Sequence, residues 1–226
     1  QAFYRMYYQP DNAVLTVAGK FDIDRTLPLI AGTFGKIPRP TRALPVLWTV
    51  EPTQDGERSV TVRRKGDVQL VLVAYRIPSL LSDGTAAINA AADILGDTPN
   101  GRLHKELVAT GLAAQVFAWA QQQRDPALAL FGAVVKKGER IERVRDKLIE
   151  VVERGFAQQP PTEDEMTRMR RDNETGFERT LADPQQFGVS LSEYIAAGDW
   201  RLFFLGRERI AGVSAGEVAR DSARYF

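Results

Sequence analysis

The spacing of hydrophobic and polar residues divides the chain into an N-terminal region, a strand-rich middle and a helical C-terminal part. In the N-terminal region, residues 2–9 have the pattern of an amphipathic helix, and residues 13–18 form a short, β-rich apolar run typical of a buried strand. Asp22 is placed to cap a helix over residues 23–34. This region therefore predicts the order helix, strand, helix.

The middle of the chain opens with a proline-rich stretch and continues into strands. Residues 36–57 contain four prolines among polar residues, which predicts an extended connector. Residues 58–64 alternate polar side chains with valine, and residues 68–77 are rich in β-branched residues, so the two segments predict a hairpin or an adjacent pair of strands. Two helices and then two strands are predicted next, at residues 86–95, 101–109, 112–120 and 127–135.

The C-terminal part has helical periodicity throughout. Apolar residues recur at three- and four-residue spacing over residues 141–156, which indicates a helix with one buried face. Thr162 with Glu165, and Ser214 with Glu217, are capping boxes that predict the starts of two later helices. Together with the hairpin-compatible strands, this order predicts an α+β fold, a two-layer sandwich with helices packed on one face of a largely antiparallel sheet.

Composition excludes several classes of function. The 30 basic and 29 acidic residues leave a net charge of +1, so we expect no nucleic-acid partner. No apolar run approaches the roughly 20 residues that span a bilayer, so we expect no membrane span. The absence of cysteine excludes thiol catalysis, disulfides and cysteine-based zinc sites, and it leaves the cellular compartment open.

No active site can be assembled from the residues alone. The only histidine is His104, flanked by Arg102 and Lys105, whereas a hydrolytic zinc site needs three convergent ligands from His, Asp and Glu. The run from Gly96 to Arg102 precedes a helix but lacks the lysine and the glycine spacing of a phosphate-binding loop. We therefore predict no catalytic and no metal-binding residue in this chain, and the sequence leaves any substrate-binding residues unknown.

Two stretches carry a resemblance to a known family. Residues 3–22, FYRMYYQPDNAVLTVAGKFD, resemble the end of the first domain of pitrilysin/insulinase-type zinc metallopeptidases, where a helix with paired aromatic residues leads through Pro-x-Asn-Ala into a strand ending Gly-x-Phe. Residues 95–113, LGDTPNGRLHKELVATGLA, are similar to the second-domain signature, in which Ser/Gly-Arg-Leu opens a helix and Gly-Leu-Ala starts the next strand.

The resemblance implies an organisation in repeated α+β domains that enclose a chamber for unfolded peptides. Zinc would then be bound by an inverted His-x-x-Glu-His motif in a preceding domain, and no zinc or other cofactor by this chain. Residues 1–36 would be the tail of that domain or a bridging segment, residues 37–57 an extended linker, and residues 58–226 the inactive peptidase-like domain.

The resemblance also implies where substrate-stabilising groups would lie in the domain that faces the zinc. The family there uses an arginine and a tyrosine, and alignment on Gly-Leu-Ala places these positions at Leu107 and Ala114. An aliphatic side chain and a methyl group cannot donate hydrogen bonds to an oxyanion. This chain therefore resembles the second, inactive domain of a bacterial member and is expected not to be an enzyme by itself.

Three hypotheses about function follow. In the first, the chain is a non-catalytic domain that packs against the zinc-bearing sister domain of the same polypeptide and shapes the peptide chamber. In the second, it belongs to a catalytically dead homologue that acts as a structural or peptide-binding subunit; in the third, it is an unrelated α+β binding module. The compartment is not determined by the residues, and the family resemblance favours the cell envelope or periplasm.

Overall fold

The structure is a computed structural model that describes residues 1–46 and 52–226. The chain divides into two compact units, an N-terminal unit of residues 1–66 and a C-terminal unit of residues 67–226. The part of the predicted connector at residues 47–51 lies outside the described residues. Among the described residues, no helix combines the length and the apolar character that crossing a membrane requires.

The described residues of the N-terminal unit form two helices, each followed by a short 3₁₀ turn. These are α1 (Ala2–Tyr7), a turn at Pro10–Asn12, α2 (Ile23–Thr33) and a turn at Phe34–Lys36. The predicted cap of α2 is confirmed, because the Asp22 carboxylate accepts a hydrogen bond from the Arg25 backbone N–H at 3.2 Å. None of the described residues of this unit is buried, so it lacks a hydrophobic core in that part of the chain.

The strand predicted at residues 13–18 is not formed. This segment makes no strand ladder with any described residue. Its side chains Val14 and Leu15 are 67% and 54% exposed. A strand satisfies its backbone groups only by pairing with another strand, and the described part of the N-terminal unit offers none.

The C-terminal unit is built on a three-stranded antiparallel sheet in the order β1-β3-β2. Its strands are β1 (Leu70–Ile77), β2 (Ala113–Ala120) and β3 (Ala127–Val135). The predicted hairpin is wrong, because residues 58–64 stay out of the sheet and β1 pairs along its whole length with β3. Residues 58–64 offer only two valines to a core, too little apolar surface to offset the ordering of a strand.

Six helices complete the C-terminal unit, together with one π-helical turn at His104–Val108. They are α3 (Thr85–Gly96), α4 (Ile141–Gln158), α5 (Glu163–Ala182), α6 (Pro184–Ala197), α7 (Leu202–Gly212) and α8 (Ala215–Tyr225). Both predicted capping boxes are present, at the starts of α5 and α8.

One face of the sheet and the helices that cover it form the core. Phe131 of β3 is fully buried, as are Ile88 of α3 and Leu148 of α4. Helices α3, α4 and α8 contact the strands, and the core side chains alternate along each strand as a half-covered sheet requires. The predicted α+β fold with a largely antiparallel sheet is confirmed.

The opposite face of the sheet is apolar and partly exposed. Leu72 is 52% exposed and Trp119 is 45% exposed. On this face the Phe117 ring lies across Gly132, its direct cross-strand partner, and packs against Trp119 at a centroid distance of 5.5 Å. A side chain at position 132 would occupy the space of this ring.

Candidate functional site

The only histidine of the sequence belongs to no candidate metal site among the described residues. His104 lies half-buried in the π-helical turn. Among residues 1–46 and 52–226, no group of three or more His, Asp or Glu side chains could hold a metal ion. The residues present in this part of the chain therefore do not fit the zinc that the family resemblance implies for the complete protein.

The two positions aligned with the substrate-stabilising pair have ordinary structural environments. Leu107 is completely buried in the core of the C-terminal unit, and Ala114 is an exposed residue in β2. Neither presents a polar atom beyond its own backbone. The structure thus places a core leucine and a surface methyl group where an oxyanion-stabilising site would need donors.

Arg102, the arginine of the Gly-Arg-Leu signature, anchors three segments of the C-terminal unit. Its guanidinium forms a bidentate pair with Glu165 at 2.7 and 2.9 Å. It also donates to three backbone carbonyl groups and lies 4.4 Å from the centroid of the Phe156 ring. The carbonyl groups belong to Gly155, Gln159 and Pro160, at 2.8, 2.7 and 3.2 Å.

Glu165 completes this anchor from the other side. It accepts hydrogen bonds from the backbone N–H and the hydroxyl of Thr162 at the start of α5. Burial alone would raise the pKa of Glu165, but the hydrogen bonds from Arg102 and Thr162 outweigh burial and lower it. The signature arginine therefore has a structural task, which is to join the end of α4 to the start of α5.

The loop before Arg102 closes on itself. The Gly101 N–H donates to the Asp97 carbonyl at 2.9 Å, and a Cβ atom at Gly101 would collide with the backbone of Asp97 and Leu95. The Asp97 carboxylate lies 3.7 Å from Arg168. The glycine is thus needed for the tight turn that positions Arg102.

A groove on the helical side of the C-terminal unit is the candidate binding site. It has a volume of about 630 Å³, within the usual range of ligand pockets. Helices α3, α5 and α7 form its walls. Polar and aromatic side chains share the lining, notably Asn89, Asp93, Asn173, Phe177, Phe203 and Arg207.

Asp93 is the distinctive group of this groove. Its carboxylate accepts a hydrogen bond of 2.8 Å from the Asn173 side chain, which ties α3 to α5. Although the residue is accessible to water, partial desolvation in the groove raises the pKa of Asp93, and the nearby Asp172 raises it further. An acid perturbed in this way inside a concave surface is a common property of binding sites.

The sequence held a signal for this groove that pattern reasoning missed. Asn89 and Asp93 are the only polar residues in the interior of the alanine-rich helix α3. Their separation of four residues places them on the same helix face. Two polar side chains aligned on an otherwise apolar helix indicate a helix face that lines a groove and is not packed into the core.

A second candidate surface lies in the N-terminal unit. Ile23, Leu27, Ile30 and Phe34 follow one another at helical spacing along α2 and the turn after it, and this set is called the α2 stripe below. Ile23, Leu27 and Phe34 are 61%, 59% and 57% exposed. Such a stripe is typical of a helix that packs on another surface.

Comparison with protein families decides the assignment. Residues 1–173 match the family described as the peptidase M16 inactive domain. The chain belongs to this family. As an M16 inactive domain it is a non-catalytic peptidase domain, which confirms the prediction that this chain is not an enzyme by itself.

Individual relatives agree with the family assignment. The chain is similar to the inactive peptidase domain of a proposed zinc protease from Bordetella parapertussis, with 40% identity, a TM-score of 0.67, and coverage of 74% of this chain and 88% of that one. It also resembles a protease from Helicobacter pylori, with a TM-score of 0.93 and 22% identity over 100% of this chain and 55% of that one. The second likeness shows the shared fold.

A sequence comparison finds the M16 inactive domain within a longer protein. The zinc protease PqqE of Helicobacter pylori is 23% identical over 227 residues, which cover 99% of this chain and 51% of that protein. The chain therefore spans about half the length of the curated relative that it matches.

Proposed function

We propose that this M16 inactive domain is the non-catalytic domain of a zinc-dependent metalloendopeptidase. In the complete protein it packs against a zinc-bearing sister domain of the same polypeptide and shapes the chamber that receives an unfolded peptide. The zinc and the catalytic groups belong to the sister domain. The complete protein acts in the cell envelope, a placement that rests on the family resemblance alone.

The N-terminal unit carries this proposal. Its described residues bury no side chain, yet they include the α2 stripe and the apolar, unpaired segment at residues 13–18. A segment without a core cannot offset the entropy of its own ordering, so it needs an external surface. The sister domain supplies that surface: residues 13–18 join its sheet, and α2 packs against it.

This division gives each part of the chain a role. Residues 1–36 complete the sister domain, residues 37–57 connect the two domains, and residues 58–226 form the inactive domain. The role of the inactive domain is to hold its wall of the chamber in a fixed shape. The Arg102 anchor suits that role, because it fixes the angle between α4 and α5 by several hydrogen bonds from one side chain.

The test uses the complete protein expressed from its gene and a fluorogenic, unstructured peptide. The complete protein should hydrolyse the peptide, a zinc chelator should abolish hydrolysis, and residues 1–226 alone should be inactive. Loss of chelator-sensitive hydrolysis in a well-folded complete protein would overturn the peptidase assignment. It would favour instead the catalytically dead homologue that acts as a structural or peptide-binding subunit.

The docking of α2 is tested by a matched pair of substitutions in the complete protein. Leu27→Asp places a charge in the α2 stripe and should reduce both peptide hydrolysis and the thermal stability of the sister domain. Arg25→Asp introduces the same side chain away from the stripe and should leave both unchanged. Equal behaviour of the two variants would contradict the proposed packing.

A further inference from the structure

The groove between α3, α5 and α7 contains one carboxylate that differs from its other charged groups. Three arginines on its walls each lie near an acid: Arg207 near Glu174 at 2.6 Å, Arg168 near Asp97 at 3.7 Å, and Arg209 near Asp83 at 3.6 Å. The remaining acids of the lining also have arginine partners, Glu165 with Arg102 and Asp172 with Arg171.

Asp93 has no such partner. Within the described part of the chain its carboxylate makes no salt bridge, and its one side-chain hydrogen bond comes from the neutral amide of Asn173. Among the described acids of the lining, Asp93 is therefore the one without an arginine partner, although Arg168 also keeps a buried Nε atom without a hydrogen-bond partner. A cationic group would neutralise the Asp93 carboxylate.

The surroundings of Asp93 suit a ligand longer than a single cation. Asn89, one helical turn before Asp93, lines the groove and has no side-chain hydrogen bond with the described residues. Phe177, one turn beyond Asn173 on α5, also lines it. The groove thus presents an acid, an amide without a hydrogen-bond partner among the described residues, and an aromatic ring, and its volume of about 630 Å³ exceeds what one side chain fills.

We propose that this groove binds an extended peptide segment through a lysine or arginine side chain. The ammonium or guanidinium group pairs with Asp93, the backbone of the peptide hydrogen-bonds to the Asn89 amide, and an apolar neighbour of the basic residue packs on Phe177. This site lies wholly in the C-terminal unit and goes beyond the chamber-shaping role, since it requires neither zinc nor a sister domain.

Binding is measured on residues 1–226 alone by fluorescence anisotropy. The probe is a labelled, capped peptide with one lysine followed by phenylalanine in a glycine–serine background, and norleucine replaces lysine in the comparison peptide. The lysine peptide should bind roughly tenfold more tightly, the size expected for one charge-assisted hydrogen bond. Asp93→Asn should reduce lysine-peptide affinity to that of the norleucine peptide.

Controls separate recognition of the cation from general effects on the fold. Asp146→Asn makes the same substitution at an exposed acid on α4 and should bind like the unmodified chain. In the unmodified chain, NMR should show the side-chain amide signals of Asn89 and Asn173 shifting with the lysine peptide, independently of any variant. Equal affinity for the two peptides, or unchanged affinity in Asp93→Asn, would overturn the proposal.

Because both tests use the chain without its sister domain, they fail independently of the proposed function. If the complete protein hydrolyses peptides but residues 1–226 do not bind the lysine peptide, only the proposed peptide binding in the groove is refuted. Binding of the lysine peptide by a complete protein without peptidase activity would refute only the zinc-peptidase assignment.

Discussion

The two units of the chain use apolar side chains in opposite ways. In the C-terminal unit, leucine, isoleucine, valine and phenylalanine fill a continuous core that includes Phe131, Ile88 and Leu148, each fully buried. In the N-terminal unit the same residue types are present, but Leu27 and Phe34 are more than half exposed and no described residue is buried. Hydrophobic pattern alone therefore does not tell a core from a contact surface.

The comparison also separates elements whose backbone hydrogen bonds are internal from elements whose hydrogen bonds need a neighbour. Helix α2 is formed and capped by Asp22, because its backbone hydrogen bonds lie within the helix. The strand pattern at residues 13–18 remains unpaired, because its hydrogen bonds would have to come from another strand. The availability of a neighbouring strand thus decides whether a strand pattern becomes a strand.

The largest expected effect comes from removing the anchor of the C-terminal unit. Arg102→Met leaves Glu165 buried without a cation and removes the donor to three backbone carbonyl groups. Breaking a buried pair from one side costs about 3–5 kcal/mol. Urea unfolding of residues 1–226, followed by circular dichroism, should show a loss of this size. Arg143→Ala, which removes an exposed arginine of an i,i+4 pair, should change the unfolding free energy little.

The pH dependence of this effect has a definite sign. Hydrogen bonding to Arg102 and Thr162 outweighs burial and lowers the native pKa of Glu165, so its contribution to stability is present above the ordinary glutamate pKa. That contribution is lost as the pH falls through the lowered native pKa. In Arg102→Met, the cation is gone and burial raises the pKa of Glu165 instead. Protonation of Glu165 then removes the cost of burying an unpaired charge in this variant. The difference in unfolding free energy between the unmodified chain and Arg102→Met should therefore become smaller as the pH falls. A difference that grows in acid would contradict the structural role assigned to the Arg102–Glu165 pair.

A matched leucine pair tests the contrast between the units directly. Leu148→Ala removes a fully buried side chain from the core of the C-terminal unit and should cost about 2–5 kcal/mol. Leu27→Ala shortens a side chain that is 59% exposed and should change the unfolding free energy of residues 1–226 by about 0.5 kcal/mol or less. Both values come from urea titrations. Similar losses in the two variants would show that the α2 stripe is already covered within this chain.

The sequence predicted those parts of the fold whose signals are local. The helices α3, α4, α5 and α8, the pair β2 and β3, and both capping boxes were correctly placed by periodicity and by Ser/Thr-x-x-Glu spacing. The hairpin at residues 58–64 was wrong, because alternation of Val60 and Val62 does not reveal whether a neighbouring strand is available. The same limit hid the groove: Asn89 and Asp93 share a helix face in sequence, but only the packing of α5 beside α3 brings Asn173 to them.

The last prediction compares one glycine from each unit. In Gly132→Ala the added methyl group would overlap the Phe117 ring on the sheet face, so the C-terminal unit should lose about 1–3 kcal/mol. Gly32, near the end of α2, has open space around its Cβ position. Gly32→Ala should therefore stabilise α2 by about 0.5–1 kcal/mol, which is visible as slower amide hydrogen exchange in that helix. If the overlap with Phe117 causes the loss, combining Gly132→Ala with Phe117→Leu should recover part of it. The two changes would then be non-additive, as expected for substitutions at residues in contact.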